Sequence, residues 1–377
     1  MTEFLSKSFY DTYLACRERD WGEALAAASG ADVEQALRRV HLSFSDFLAL
    51  LSPAAEAHLE PMAQKARALT LRYFGRTIQL YAPIYVSDYC ENSCLYCSFS
   101  SRNRRKRKKL SLEEIDREAA FIAGTGLQHI LLLTGESKKE SPVGYLRDCV
   151  QVLRRHFSSV AIEVYPLSEE DYAGLVAEGV DGLTLYQETY DESLYRVLHP
   201  AGPKRNFRYR LEAPERGAAA RMRQVNIGAL LGLADWRREI LMVGLHARYL
   251  QDRFPEVEIG ASVPRLRPFA GAFQGSCEVG DRNIVQAILA LRLFLPRLGI
   301  ALSTREDSCF RDSLIPLGIT RMSAGSCTSV GGYTVPDEAE DAFAQFEIAD
   351  SRSIPEMMAR LREKGYDPVL KDWIFGL

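Results

Sequence analysis

Two periodicities divide the chain. Up to about residue 78, apolar positions recur at helical spacing. Leu59, Met62, Ala66 and Leu69 fall three or four residues apart, which puts them on one face of a helix. Stretches 24–28 and 33–40 have helix-forming composition. Ser43-Phe44-Ser45-Asp46 carries the side chains of an N-terminal cap ahead of Phe47, Leu48, Leu50 and Leu51. From about residue 79 the pattern changes to short apolar runs alternating with amphipathic segments. The runs 84–89, 129–134, 161–165, 182–187, 225–231, 257–263, 299–303 and 319–323 predict strands. Segments 112–123, 143–157, 169–177, 206–223, 236–252 and 282–295 predict the helices between them. Ser111 with Glu114, and Ser168 with Asp171, mark two of the helix starts.

Strand, helix, strand in regular alternation argues a parallel sheet, and eight such strands argue a closed (β/α)8 barrel of the TIM type. The weakest link joins the last two strands, where Pro316 leaves little room for a helix. The expected organisation is a helical N-terminal extension over 1–78, the α/β barrel over 79–330, and a short C-terminal extension over 331–377 packed on the barrel. That last piece is expected to hold helices over 338–346 and 356–364. Its tail carries Trp373, Ile374 and Phe375, large apolar side chains expected to dock on the body.

A barrel of this kind gathers its reactive groups where the strands end. Polar residues stand at those ends: Thr134-Gly135-Glu136-Ser137, Gln187-Glu188-Thr189, Ser303-Thr304-Arg305-Glu306 and Ser323-Ala324-Gly325-Ser326. Loops are polar anyway, which accounts for much of this. It accounts less well for Glu163, inside the apolar run Val160-Ala161-Ile162-Glu163-Val164. A lone carboxylate in a central strand is costly unless paired; an ion pair with a neighbouring strand is the plain alternative.

The first strand runs into Cys90-Glu91-Asn92-Ser93-Cys94-Leu95-Tyr96-Cys97, a C-x3-C-x2-C loop. Three thiolates so close can each hold one corner of a cubane iron–sulfur cluster. With no fourth local thiolate, one iron stays open to a small molecule. A structural zinc site and a disulfide pair are the alternatives, but zinc usually takes four closed N or S ligands, the loop offers no fourth Cys or His, and three thiols cannot pair off among themselves. Cys90, Cys94 and Cys97 are therefore the candidate ligands of a [4Fe–4S] cluster.

Composition narrows the class. Net charge is −3, with 47% hydrophobic and 26% charged residues, an ordinary globular balance that excludes a general polyanion binder. No apolar run reaches the ~18 residues of a membrane span. The start, Met1-Thr2-Glu3-Phe4, lacks the basic and apolar regions of a cleavable signal. Eight cysteines, three of them clustered, fit a reducing cytoplasm better than a disulfide scaffold.

The cysteine spacing, with an aromatic residue before the last thiol, resembles the radical S-adenosylmethionine (SAM) superfamily, in which SAM chelates the open iron. Further segments resemble the aromatic amino acid lyases of that superfamily: Pro83 to Cys90, Leu132-Leu133-Thr134-Gly135-Glu136, Tyr186-Gln187-Glu188-Thr189-Tyr190, His199-Pro200-Ala201-Gly202-Pro203-Lys204, Ser262 to Pro268, and Ser303-Thr304-Arg305-Glu306. The stretches 310–320, 322–326 and 330–333 look like the tyrosine lyases in particular, the 2-iminoacetate (dehydroglycine) synthases of thiamine thiazole biosynthesis. The resemblance implies cleavage of the Cα–Cβ bond of L-tyrosine to 2-iminoacetate and p-cresol, with SAM giving methionine and 5′-deoxyadenosine.

It also implies roles. Tyr96 packs at the adenine side of SAM. The Gly135-Glu136 turn receives its ammonium, Glu188 faces it, Arg210 holds its carboxylate and Glu163 touches its ribose. Arg305 anchors the substrate carboxylate with Ser323, and Tyr85 contacts the amine end. A plain solvated helix arginine is the alternative for Arg210. Thiazole synthase is the implied partner. A tryptophan lyase shares the barrel and most of the motifs. The hydrogenase-maturation tyrosine lyase carries a second C-terminal cysteine triad, which this chain lacks, having no cysteine after Cys327.

The basic run Arg102 to Lys109 follows the cluster loop. It suggests docking of an acidic reductant of the flavodoxin type. A different class, an iron–sulfur RNA-binding protein, would use the same run, but the net charge is negative and no aromatic residues interleave it; a solvated loop is the plainest reading.

Overall fold

A computed structural model describes residues 8–17, 19–269, 273–334 and 344–371. Eight parallel strands close on themselves: β1 (Thr77–Ser87), β2 (His129–Thr134), β3 (Ser159–Glu163), β4 (Val180–Glu188), β5 (Gln224–Ala229), β6 (Glu258–Ser262), β7 (Gly299–Leu302) and β8 (Arg321–Ser323). β1 completes the ring by pairing with β2 from Ala82 onward and with β8 over Gln79–Tyr81. The expected (β/α)8 barrel is thus the fold.

The first strand is longer at its start than the apolar run suggested. Gln79 and Tyr81 face inward while Ile78, Leu80 and Ala82 are buried outside, so the alternation extends below Pro83. That projecting start also pairs with a strand the sequence did not announce, β9 (Asp367–Val369), in the register Thr77↔Asp367.

Two helical expectations change. The expected helix over 206–223 is two, Phe207–Leu211 and Ala213–Ala219. Pro214 lacks the N–H a continuous helix needs there and instead takes a first-turn position of the second. Between β7 and β8 the chain fits a helix, Ser308–Leu314, and a 3-10 turn, Ile315–Leu317, that accepts Pro316 in its first turn. Most of the helix expected over 338–346, and the tail with Trp373, Ile374 and Phe375, lie outside the described residues. Residues 344–346 are described and are not helical. The expected helix over 356–364 forms as Ile354–Glu363.

The N-terminal helices clamp the outer helices of the barrel. Phe47, on the helix Phe44–Leu51 that Ser43 and Asp46 cap as a box, stacks on Phe294 at 4.3 Å. Gly244 makes this possible: a Cβ there would stand 2.4 Å from the Phe47 ring. Gln286, fully buried, donates to the carbonyls of Leu50 and Ser52.

A C-terminal strap, residues 344–352, crosses the mouth of the barrel. Gln345 N–H donates to Thr328 O, Glu347 N–H to Pro268 O, and Ala349 N–H to Thr304 O. The strap is locked by a buried ion pair, Arg311 with Asp350, both side chains 1% exposed. Arg311 also donates to the Ser323 carbonyl, and Arg352 joins Asp350 to Asp312. Removing one partner of such a pair leaves a bare buried charge. Asp350→Ala should lower unfolding free energy by about 3–5 kcal/mol, read by anaerobic chemical denaturation. A loss below about 1 kcal/mol, the size of an exposed pair, would show that the strap is not held this way.

Candidate active site

The strand ends bring the candidate residues together in two neighbouring groups. The first surrounds the cysteine loop, which leaves β1 at Ser87. Its backbone amides are tied down on two sides: Glu91 N–H donates to Glu136 O (2.8 Å), Ser93 N–H to Ala201 O (3.1 Å) and Leu95 N–H to Leu198 O (3.1 Å). Asn92 bridges the same two sides, donating to the Glu136 carboxylate (2.6 Å) and accepting from Lys204 N–H (2.8 Å). Gly135 lies so close beneath the loop that a Cβ would stand 2.4 Å from Tyr89 O; only glycine fits.

The thiols of Cys90, Cys94 and Cys97 are free. Burial pushes Cys94 up to about 12, with Cys97 and Cys90 adding to the rise and Lys204 opposing it. Burial also raises Cys97, and Cys90 adds to it. Thiols that feel one another's charge form a donor set that an iron–sulfur cluster satisfies. Among the described residues no three His, Cys, Asp or Glu side chains converge on a single ion. The three thiols thus suit separate irons of one cubane better than a closed zinc site.

Beside the thiols sits a charge cluster that the sequence showed only in part. Glu188, 9% exposed, ends β4 with φ +72°, a conformation costly for a non-glycine residue. Its Oε1 takes Lys204 Nζ at 2.7 Å and Arg210 Nη2 at 3.3 Å. Burial pushes its carboxyl up, but Lys204 and Arg210 outweigh burial and hold it below its usual value. Arg210 is 8% exposed and also donates to Tyr186 O, so it is not the solvated helix arginine that was the alternative. Tyr96 hydroxyl and His199 Nε2 are 2.7 Å apart. His199 Nδ1 lies 2.7 Å from the Tyr195 carbonyl and must donate there, so Nε2 accepts from Tyr96. Burial, then Lys204, lowers the imidazole to about 3 and keeps it neutral. Lys204 and His199 were read only as part of a motif; their partners are set by loop closure, not by spacing.

The second group lines a cavity inside the upper barrel. Tyr85, Glu163, Arg305 and Ser323 all face it. The Arg305 guanidinium stacks on Phe346 of the strap, 3.5 Å from the ring centroid, and has no hydrogen-bond or ion-pair partner among the described residues. Glu163 likewise has none, so the ion pair weighed for it does not form. Burial, then Glu188, pushes its carboxyl up to about 7. Ser323 Oγ accepts from Thr304 N–H. Tyr85 donates its hydroxyl to Gln345 Oε1 at 2.7 Å. Gln345 and Phe346 had no sequence signal, since they reach the site from 260 residues away along the chain in the case of Tyr85 and Gln345.

The basic run is divided. Arg105, its side chain 5% exposed, pairs with buried Asp88 at 2.9 Å. Arg107 donates to the carbonyls of Asp88, Phe99 and Ser100. Arg102, Arg104, Lys106 and Lys109 are exposed. Two of the run's seven cations, Arg105 and Arg107, thus brace the cluster loop with their side chains.

A parallel barrel with three free thiols at its mouth and a cavity beneath that carries a few charged and polar side chains is the construction of a radical SAM enzyme. The Radical SAM superfamily model matches residues 84–242, and that of the Biotin and Thiamin Synthesis associated domain matches 262–367. The chain is 42% identical to the 2-iminoacetate synthases of Salmonella typhimurium (strain LT2) and Escherichia coli (strain K12), over 371 residues and 97% of each chain. It belongs to the 2-iminoacetate synthase family. Among solved structures it resembles the FeFe-hydrogenase maturase HydG from Carboxydothermus hydrogenoformans, with TM-score 0.83 and 31% identity over 96% of this chain and 83% of that one. The family's cofactors are a [4Fe–4S] cluster and SAM, and the donor set at the cysteine loop fits the cluster.

Two substitutions separate the parts of this site. Gly135→Ala should displace the cysteine loop and lower iron and sulfide per chain after anaerobic reconstitution. Lys204→Met should keep the cluster but weaken SAM binding by roughly tenfold, the scale of one charge-assisted hydrogen bond, read by calorimetric titration. Unchanged SAM affinity would remove Lys204 from the SAM site.

Proposed function

We infer that this protein is a radical SAM lyase that cleaves the Cα–Cβ bond of L-tyrosine to 2-iminoacetate and p-cresol, for the thiazole moiety of thiamine. The near full-length likeness to 2-iminoacetate synthases supports the reaction. The observation that carries the substrate placement is Arg305: a half-buried guanidinium facing the cavity, its fork unpaired among the described residues. A free amino acid brings one carboxylate, which such a fork binds bidentately.

When bound, the cluster supplies the electron that splits SAM into methionine and a 5′-deoxyadenosyl radical. The chain's own residues position and shelter. Cys90, Cys94 and Cys97 ligate the irons. Arg210 and Lys204, two cations on the single carboxylate of Glu188, leave positive charge over for the SAM carboxylate. The Gly135-Glu136 turn takes its ammonium, Tyr96 flanks the adenine and Glu163 meets the ribose. Arg305, with Ser323, fixes the tyrosine carboxylate, and Tyr85 stands at the amine end. The strap closes the cavity against water. In this reading 79–330 is the catalytic barrel, and 1–78 and 331–377 are extensions that brace it.

Arg305→Met should raise the tyrosine Kd by about two orders of magnitude, since removing a partner of a buried charge pair costs 2–5 kcal/mol. SAM binding should be little changed. p-Cresol and 5′-deoxyadenosine, followed by chromatography, check the outcome. Full p-cresol output from Arg305→Met would sink the placement.

The protein acts in the cytoplasm, hands its product to a thiazole synthase and draws electrons from an acidic flavodoxin-type donor. The exposed cations beside the cluster loop support the last point. Arg104→Glu with Lys106→Glu should slow turnover with flavodoxin several-fold at low salt and leave the dithionite-driven rate unchanged. Equal rates with both donors would exclude docking at this loop, whereas tight, steeply salt-dependent RNA binding would favour the rival class.

A further inference from the structure

Beneath the substrate cavity the barrel holds a second space. Barrels of this type ordinarily fill that level with layers of bulky aliphatic side chains. Here Gln79, His129, Thr184, Gln224, Asn226 and Arg321 face the interior. The room comes from small residues on adjacent strands. Ala161 pairs with Gly182, and Gly260 with Gly299. A Cβ on Gly182 would stand 2.9 Å from that of Ala161, and one on Gly260 would stand 2.8 Å from Asn226 Oδ1.

The lining is donor-rich, and one donor is unmet. Asn226 Nδ2 donates to Ser262 Oγ (2.9 Å) and Arg321 Nη2 to Glu258 (2.7 Å). Gln224, 9% exposed, has no hydrogen-bond partner for Nε2 among the described residues. A buried donor left unpaired costs about 1–3 kcal/mol, so the space calls for an acceptor. Tyr81, Leu131, Tyr186 and Ala301 border both this chamber and the cavity above. A collar of side chains is all that separates them.

We propose that this lower chamber is a second binding site, for a two-carbon imino or oxo acid, and that it holds the polar half of the cleaved substrate. The proposal rests on the tyrosine lyase reading above. Cleavage yields an aromatic half and a two-carbon carboxylate half. The chamber's N–H groups match the carboxylate, a group that the aromatic half lacks. Arg305 remains the anchor of the intact substrate, and the chamber takes what the cleavage releases.

Glyoxylate, the stable oxo acid of this size, is the probe. Cluster-loaded protein is saturated with SAM and tyrosine without reductant, so that the upper cavity is filled, and is then titrated with 13C-labelled glyoxylate under NMR observation. One glyoxylate should bind per chain. Ala161→Ile, which fills the chamber, and Gln224→Leu, which removes the unmet donor without filling it, should each weaken that binding by roughly tenfold or more, with tyrosine affinity retained. No glyoxylate bound by the tyrosine-saturated wild type means a chamber of water only and overturns the proposal, as does equal binding by wild type and Gln224→Leu. A wild type that forms no p-cresol under reducing conditions yet binds glyoxylate in this way refutes the tyrosine reading and keeps the chamber.

Discussion

Thiolates cannot be gathered at the end of a barrel without countercharge close by, and the upper half of this molecule is arranged around that requirement. Lys204 and Arg210 share one carboxylate, Glu188. The group so formed carries one net positive charge, buried beside Cys94. Desolvating it is expensive, and the protein meets the cost with geometry. Glu188 is held in a left-handed conformation, and Asn92 fixes the Lys204 backbone. On the other flank Asp88 takes Arg105 and the amide of Lys108, while Arg107 gathers backbone carbonyls. Asn92 ties the cysteine loop to the segments after β2 and β4, and the Asp88 and Arg107 bonds tie it to the segment that follows it, so the thiols are not placed by the loop alone.

Stability and function are separated radially. The outer face of the sheet and the surrounding helices form one continuous apolar layer, from Phe9 through Tyr366. The interior is the reverse: small residues, tyrosines and amides around two spaces. An interior this open forgoes burial that other barrels use. The N-terminal helices and the strap compensate by adding apolar contact and buried ion pairs outside it. The strap does two things at once, since the Arg311–Asp350 pair that locks it also brings Phe346 and Gln345 over the cavity.

What the sequence disclosed follows from the range of each interaction. The cysteine loop was legible because its spacing is local. The strands were legible because a strand of a parallel sheet covered by helices reads as a short apolar run, and Glu163 stood out as the exception inside one. β1 was placed late because Pro83 breaks the apolar run, and the helix over 206–223 was overextended because helical composition hides the effect of Pro214. Lys204, His199, Gln345 and Phe346 were not legible as site residues. Each owes its place to a contact across the closed barrel, and nothing in its neighbours along the chain marks it.

Two carboxylate-bearing molecules must enter one mouth without exchanging places, and on the proposed reading the charges sort them. Arg210 and Lys204 form one uncompensated cationic group at the cysteine loop; Arg305 forms another across the cavity, stacked on Phe346 and otherwise unpaired among the described residues. Glu163 lies within electrostatic reach of both, its carboxyl pushed up to about 7 by burial and then by Glu188. Near neutrality it is poised between charged and neutral, so it can sit between two cations without satisfying either. A permanently ionised group paired with Arg305 would close the substrate anchor, and an apolar side chain would let the two cationic groups act on the same ligand. On that reading a single acid in a central strand, without a partner among the described residues and the feature hardest to explain by packing, keeps the two anchors distinct.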